Sequence, residues 1–100
     1  MDEDEEEGLR EPYEPNVAHR LIREALQRHR TIWSDHLFAS MEERDVSPME
    51  VENALRAGVP QPAELINGTW RYPICTSRLR VIAAFRSPTR VAIITVIRLI

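Results

Sequence analysis

Apolar side chains recur at helical spacing through the first half of the chain. From Asn16 to about Arg30, one stripe is apolar and the opposite side is arginine-rich, which is typical of an amphipathic helix. Asn16 directly follows a proline and is a good N-cap. Ser34 and Ser47 predict two further helix starts, with ends near Arg44 and at Gly58.

Beyond Pro60 and Pro62 the pattern changes to that of β-strands. Asn67-Gly68 is a strong hairpin signal, and it lies between Glu64–Ile66 and Trp70–Cys75. Two strands rich in β-branched residues follow and predict a second, antiparallel hairpin, at 79–85 and 91–99. Because the last strand is almost wholly apolar, we expect both of its faces to be covered and the strand to be central.

Runs of helices followed by runs of strands favour the α+β class. The predicted architecture has N-terminal helices packed on a four-stranded antiparallel sheet. Residues 16–100 should form a single domain of this kind. Residues 1–15 should form a disordered acidic tail, because like charges, a glycine and two prolines interrupt any helix there.

The net charge of −3 divides unequally along the chain. Residues 1–16 carry eight acids and one arginine, a charge of −7, whereas residues 17–100 carry twelve arginines and eight acids, a charge of +4. Every base is arginine, the better bidentate ligand for phosphate, although a GC-rich genome would give the same bias. The tail is either a solubilising leader or an acidic flap that competes for the basic face.

Several functional classes find no support in the composition. Cys75 is the single cysteine, so no internal disulfide forms, and no cysteine–histidine spacing suits zinc. We therefore expect no metal and no cofactor. The acidic N-terminus is unlike a signal peptide, and no apolar stretch is long enough to span a bilayer. The expected location is the cytoplasm, without a membrane partner.

His36, Arg44, Arg78, Arg80 and Thr95 are the candidates for chemistry. His36 and Arg44 should share a helix face, where a histidine can move protons and an arginine can hold a phosphate, the minimum for RNA cleavage without metal. His36 has the simpler alternative of a surface histidine. Arg78 and Arg80 alternate onto one strand face, which is either solvated or a substrate platform. Thr95 is either a β-former or a hydroxyl that faces a phosphate.

Other polar and aromatic side chains have simpler predicted roles. His19 and His29 lie on the arginine-bearing side of the first helix and should be solvated. Trp33 and Trp70 could stack on bases, but core packing is the simpler role for both.

The order of motifs resembles that of a small bacterial domain family of unknown function. The resemblance rests on Ser34-Asp35-His36, Met41, Arg44-Asp45-Val46-Ser47, a helix ending at Gly58, and a final Thr95-Val96 step. That family looks like the RelE-type toxins of the barnase–EndoU–colicin–RelE group. The resemblance implies a RelE-like fold that cleaves RNA without metal, with His36 as acid or base, Arg44 on the phosphate and Thr95 on the last strand.

Two functions follow as hypotheses. The first is a ribonuclease or toxin-type domain that acts on RNA and has an antitoxin-like protein partner. The second is a non-catalytic interaction module that binds nucleic acid or an acidic protein through an arginine-rich face. A nuclease needs a proton-transfer group at His36, whereas a binding module needs only charge.

Overall fold

The helices begin close to their predicted positions. The computed structural model describes residues 8–100, in which α1 spans Pro15–Gln27, α2 spans Asp35–Glu43 and α3 spans Pro48–Ala57. Ser34 caps α2, and Ser47 and Glu50 form the expected capping box of α3. The start of α1 differs from the prediction, because Glu14, not Asn16, is its N-cap and the helix therefore begins two residues earlier.

The helices pack on a sheet that contains both parallel and antiparallel strand pairs. Its strands are β1 (Thr31–Trp33), β2 (Val59–Pro60), β3 (Glu64–Ile66), β4 (Thr69–Cys75), β5 (Leu79–Ser87) and β6 (Arg90–Arg98). The order is β1-β6-β5-β4-β2, and β3 pairs with β4 outside this path. The β3–β4 and β5–β6 hairpins are antiparallel, and β6 is internal, as predicted. The expectation that both faces of β6 are covered fails toward the end of the strand, where Ile97 is exposed.

The sheet is larger than expected and not wholly antiparallel. Six strands, not four, are present within the described residues, and β1 pairs in parallel with β6, with Thr31 opposite Val91. Three residues are too few to show a strand period, and their partner lies sixty positions away. Periodicity therefore gives no sign of a strand at residues 31–33. The domain is α+β, but β1 interrupts the run of helices.

The hydrophobic core lies between the helices and one face of the sheet. Side chains from all three helices meet alternate residues of β4, β5 and β6 there. The largest fully buried side chains include Ile22, Leu37, Leu55, Tyr72 and Ile93. Trp33 and Trp70 are partly buried against this core, which agrees with their simpler predicted role.

Part of the N-terminal segment packs on this core, contrary to the expectation of disorder through residue 15. The Tyr13 ring packs edge-on against Phe85 at 5.0 Å between centroids, and its backbone N–H donates to the Tyr72 hydroxyl. The Tyr72 hydroxyl donates in turn to Glu11 at 2.9 Å. The remainder of the predicted tail, residues 1–7, lies outside the described residues.

His19 ties α1 to α3 and is not solvated as predicted. The side chain is buried, and its Nε2 lies 2.7 Å from the Leu55 carbonyl oxygen. A carbonyl can only accept, so Nε2 carries the proton and donates. This carbonyl lies in the last turn of α3, where backbone acceptors lack a partner within the helix.

Gly58 is the C-cap of α3, and it does not have the left-handed conformation expected of a glycine at a helix end. Its φ of −71° and ψ of 175° are accessible to any residue. A Cβ at this position would lie 2.5 Å from the Ala54 carbonyl oxygen and 2.8 Å from the Ile74 side chain. The chain therefore needs glycine here so that the end of α3 can approach β4 closely.

Candidate functional site

The second face of the sheet carries a groove with mixed polar and apolar walls. Along β4 and β5, alternation places Tyr72 and Val81 in the core and sends Arg71, Arg80 and Ile82 to the opposite face. The β3–β4 hairpin forms one wall. The groove has a volume of about 440 Å³, and its lining residues are Glu64, Ile66, Arg71, Arg80, Ile82, Thr95, Ile97 and Leu99.

Two arginines of this groove differ in their polar partners. Both carboxylate oxygens of Glu64 lie 3.1 Å from one terminal nitrogen of Arg80. Arg71, in contrast, has a buried Nε that meets no hydrogen-bond acceptor within residues 8–100. Leaving a buried donor unsatisfied costs about 1–3 kcal/mol. Because this Nε has almost no accessible surface, a ligand in the groove would approach the guanidinium through its other nitrogens.

The apolar part of the groove is exposed to solvent. Ile66, Ile97 and Leu99 keep 39%, 37% and 47% of their surface accessible. These side chains come from β3, from β6 and from the residues after β6, so a single ligand could contact all of them together. The lining includes no aromatic side chain.

Thr95 lies in this groove and is held by α2. Its hydroxyl is 2.9 Å from that of Ser40, the buried polar residue of α2. Either oxygen can donate in this pair, so the Thr95 hydroxyl keeps a free lone pair for a ligand. Thr95 and Arg80 are the two predicted site residues that the structure brings into one groove.

His36 and Arg44 lie apart from the groove, at opposite ends of α2. His36 is exposed in the first turn, and Arg44 is the C-cap, about 12 Å further along the helix axis. The Arg44 guanidinium lies 3.9 Å from the Glu43 carboxylate. The backbone carbonyl oxygen of Arg44 accepts a hydrogen bond from the Arg98 guanidinium. Neither residue lines the groove that contains Thr95.

Arg78 and Arg80 do not share a ligand platform. Arg78 precedes β5, and it lines a separate hollow beside α3 together with Glu50, Asn53 and Thr76. Its carbonyl oxygen accepts from the Leu99 N–H at 2.7 Å. Arg78 and Arg80 therefore line different hollows, and the structure does not bring them together as one substrate platform.

Arg71 and Glu64 were not among the predicted site residues. The available signal for Arg71 was its position between two aromatic residues of a predicted strand, which sends a charged side chain to the face opposite the core. Glu64 gave no comparable signal, because its approach to Arg80 depends on how the β3–β4 hairpin curls over the sheet.

Comparison with known proteins assigns no relatives to this chain. No family model, no curated protein and no solved structure matches it. Within residues 8–100, no helix is long and apolar enough to cross a membrane. In the same range, no group of three histidine, cysteine or acidic side chains is arranged to hold a metal ion.

Proposed function

We propose that this domain is a non-catalytic interaction module that binds an acidic, partly apolar protein segment in the groove of the second sheet face. The observation that carries this proposal is Arg71, which lies beside exposed isoleucine and leucine side chains and has a buried Nε without an acceptor within the described residues. A carboxylate from a partner would pair with this guanidinium from the groove, which the Arg71 side chain lines.

Charge favours an acidic partner. A guanidinium can bind a carboxylate through two parallel hydrogen bonds, so Arg71 is suited to one acidic side chain. Arg80 is already close to Glu64, and that pair is partly exposed. An exposed pair of this kind contributes only about 0–1 kcal/mol, so a second carboxylate can compete for Arg80 at little cost.

The apolar walls favour a protein over RNA. Ile66, Ile97 and Leu99 would be buried by aliphatic side chains, whereas a phosphate backbone would leave them in water. Proteins that bind single strands stack bases on aromatic rings, and the groove lining has none. The aromatic cluster of Tyr13, Tyr72 and Phe85 lies on the core side of the sheet.

The test is an NMR titration of the ¹⁵N-labelled protein with a synthetic peptide of alternating glutamate and leucine. We expect shifts in the amides of β4 and β6, and weaker binding by about tenfold in Arg71→Gln, the usual effect of losing a charge-assisted hydrogen bond. Arg86→Gln is the matched control, because Arg86 is an exposed arginine of β5 that does not line the groove.

Three outcomes would overturn the proposal. One is the absence of shifts with the acidic peptide, and another is equal binding by the Arg71→Gln variant. The third is stronger binding of an oligouridylate than of the peptide, which would favour nucleic acid as the partner. A lysine–leucine peptide serves as a charge control and should not bind.

A RelE-type ribonuclease is the second candidate, and one observation favours it. Thr95 presents a hydroxyl to the same groove as Arg80, so a phosphate there would meet a hydroxyl and a guanidinium. The exposed His36 would have to supply the proton transfer from the start of α2. An antitoxin-like protein would then be the acidic partner.

This candidate has its own test. Purified protein in EDTA should cleave single-stranded RNA and leave cyclic phosphate ends, and His36→Ala should lower the rate by about 10²-fold or more. Asp35→Ala, in the same helical turn, is the control for a change in the helix start. Full cleavage by His36→Ala would exclude the proposed role of His36, and an inactive wild type would leave the interaction module.

A further inference from the structure

A second, strongly basic hollow lies away from the groove. It has a volume of about 540 Å³ and is lined by Arg28, His29, Arg30, Thr31, Ile32 and Arg90. We call the three arginines and the histidine among these the basic corner. None of the six lining residues is acidic, and Arg28 and Arg30 contribute two guanidinium groups with only His29 between them in the sequence.

The end of α1 builds this corner. Arg28 is the C-cap, His29 has a left-handed φ of 57°, and the Arg30 N–H donates to the Ala25 carbonyl at 2.8 Å. The His29 N–H donates to the Leu26 carbonyl, which completes a Schellman motif. This turn directs three consecutive basic residues away from the helix.

A hydrogen bond fixes the turn beside the sheet. The carbonyl oxygen of Arg30 accepts the N–H of Val91 at 3.1 Å, where β1 and β6 begin their parallel pairing. Arg90 precedes Val91 and lines the same hollow. The backbone therefore brings the residues of the basic corner close together, and their proximity does not depend on side-chain conformation alone.

His29 occupies a position that ordinarily favours glycine. A left-handed residue with a Cβ costs about 1–2 kcal/mol, and glycine avoids this cost. The imidazole at this site lines the basic hollow. An unfavourable backbone conformation that places a functional side chain in a pocket is a recurrent feature of binding sites.

We propose that the basic corner binds phosphate groups. Guanidinium groups match the geometry of phosphate oxygens and hold them bidentately. Because more than one guanidinium lines the hollow, the ligand class is a compound with consecutive phosphates. A small polyphosphorylated metabolite and an RNA backbone share this chemistry, and the site goes beyond the peptide groove in both place and ligand.

The test is calorimetric titration of the full chain with tripolyphosphate and, separately, with an octauridylate. Arg28→Gln/Arg30→Gln should weaken whichever ligand binds by at least about tenfold, through the loss of charge-assisted contacts. Arg20→Gln/Arg23→Gln removes the same amount of charge from exposed positions of α1 outside the hollow and should have a much smaller effect.

The outcomes distinguish the two sources of phosphate. Tighter binding of tripolyphosphate indicates a small ligand, and tighter binding of the octauridylate indicates a nucleic acid backbone. Absence of binding by both, or equal losses in the two double variants, would overturn the proposal. The glutamate–leucine peptide should bind both double variants with the same affinity as the wild type. A negative result for the basic corner is therefore distinguishable from a negative result for the peptide groove.

Discussion

Gly58 shows how one residue can be required for a close approach alone. We expect Gly58→Ala to lower the free energy of unfolding by about 2–3 kcal/mol, because the new methyl group would meet the backbone carbonyls of Ala54 and Cys75, which cannot move aside. Urea denaturation followed by circular dichroism measures this difference.

Gly68 is the matched control for that substitution. It has a left-handed φ of +79° in the β3–β4 turn, but a Cβ at this position would meet no other atom within 4 Å. Gly68→Ala should therefore cost only the conformational penalty of about 1–2 kcal/mol. A loss in Gly58→Ala no larger than that in Gly68→Ala would contradict the steric explanation.

His29 and Asp45 occupy equivalent left-handed positions after α1 and α2. At the end of α2, Asp45 has a φ of 54° and the Val46 N–H donates to the Met41 carbonyl, so the Schellman motif recurs. Replacing either residue by glycine should raise the free energy of unfolding by about 0.5–1 kcal/mol, since relief of the strain exceeds the entropy of the added glycine.

These two substitutions should differ in binding. His29→Gly removes a member of the basic corner and should weaken tripolyphosphate binding, whereas Asp45→Gly should not weaken it. Thermal denaturation and calorimetry on the same samples measure both effects. A destabilised His29→Gly protein would show that the imidazole makes a structural contribution that outweighs the strain.

The two tyrosines also make folding sensitive to alkaline pH. Burial raises the pKa of Tyr72 well above its usual value, and the hydrogen bond to Glu11 acts in the same direction. Burial raises the pKa of Tyr13 as well. Well below pH 10 both tyrosines are protonated whether the chain is folded or unfolded, so these two groups contribute no pH dependence to stability there.

Above about pH 10 the unfolded chain releases protons that the folded chain retains, so stability should fall as pH rises. Absorbance of tyrosinate at 295 nm should show late titration of both residues in the native protein and titration near pH 10 in urea. Native titration of both tyrosines near pH 10 would contradict the packing of Tyr13 against Tyr72 and Phe85.

At the scale of elements, capping chemistry and β periodicity predicted most of the fold. The Ser34 and Ser47 caps, the Asn67-Gly68 hairpin and the internal last strand follow from local signals, and all are present. The strands β1 and β2 have only three and two residues, so neither has a detectable period. Their pairing depends on distant partners, which local patterns do not contain.

The candidate site was less predictable than the helices and strands, because it too depends on which distant residues the fold brings together. Spacing on one helix groups His36 with Arg44, but a helix can place two residues on one face and still leave them at opposite ends. The groove instead combines Arg71, Arg80 and Thr95 from three strands. Assigning them together requires the strand order and the β5–β6 register, including its shift after Ile82.

At the scale of the whole molecule, charge is divided between the first seven residues and the remainder. Positions 2–7 are six acids, and residues 8–100 carry thirteen arginines and ten acids. Deleting residues 2–7 changes the net charge from −3 to +3. We expect this deletion to tighten tripolyphosphate binding at about 20 mM salt, with the difference fading toward about 0.5 M as screening increases.

A longer deletion provides the control for packing. Removing residues 2–13 also removes the Glu11 and Tyr13 contacts with Tyr72 but keeps Glu14 and Pro15 at the start of α1, so it should lower the melting temperature more than removal of residues 2–7. Equal polyphosphate affinity of the full chain and the shorter deletion at low salt would show that the acids do not compete for the basic corner.

The parallel pairing of β1 with β6 has a consequence for the time course of folding. The two hairpins close through short turns, whereas Thr31 must find Val91 across sixty residues of chain, and such distant pairings form slowly. We expect β1 to dock after the β5–β6 hairpin has formed and to detach first under native conditions. In hydrogen exchange, amides at the β1–β6 border, including that of Val91, should therefore lose protection before those shared by β5 and β6.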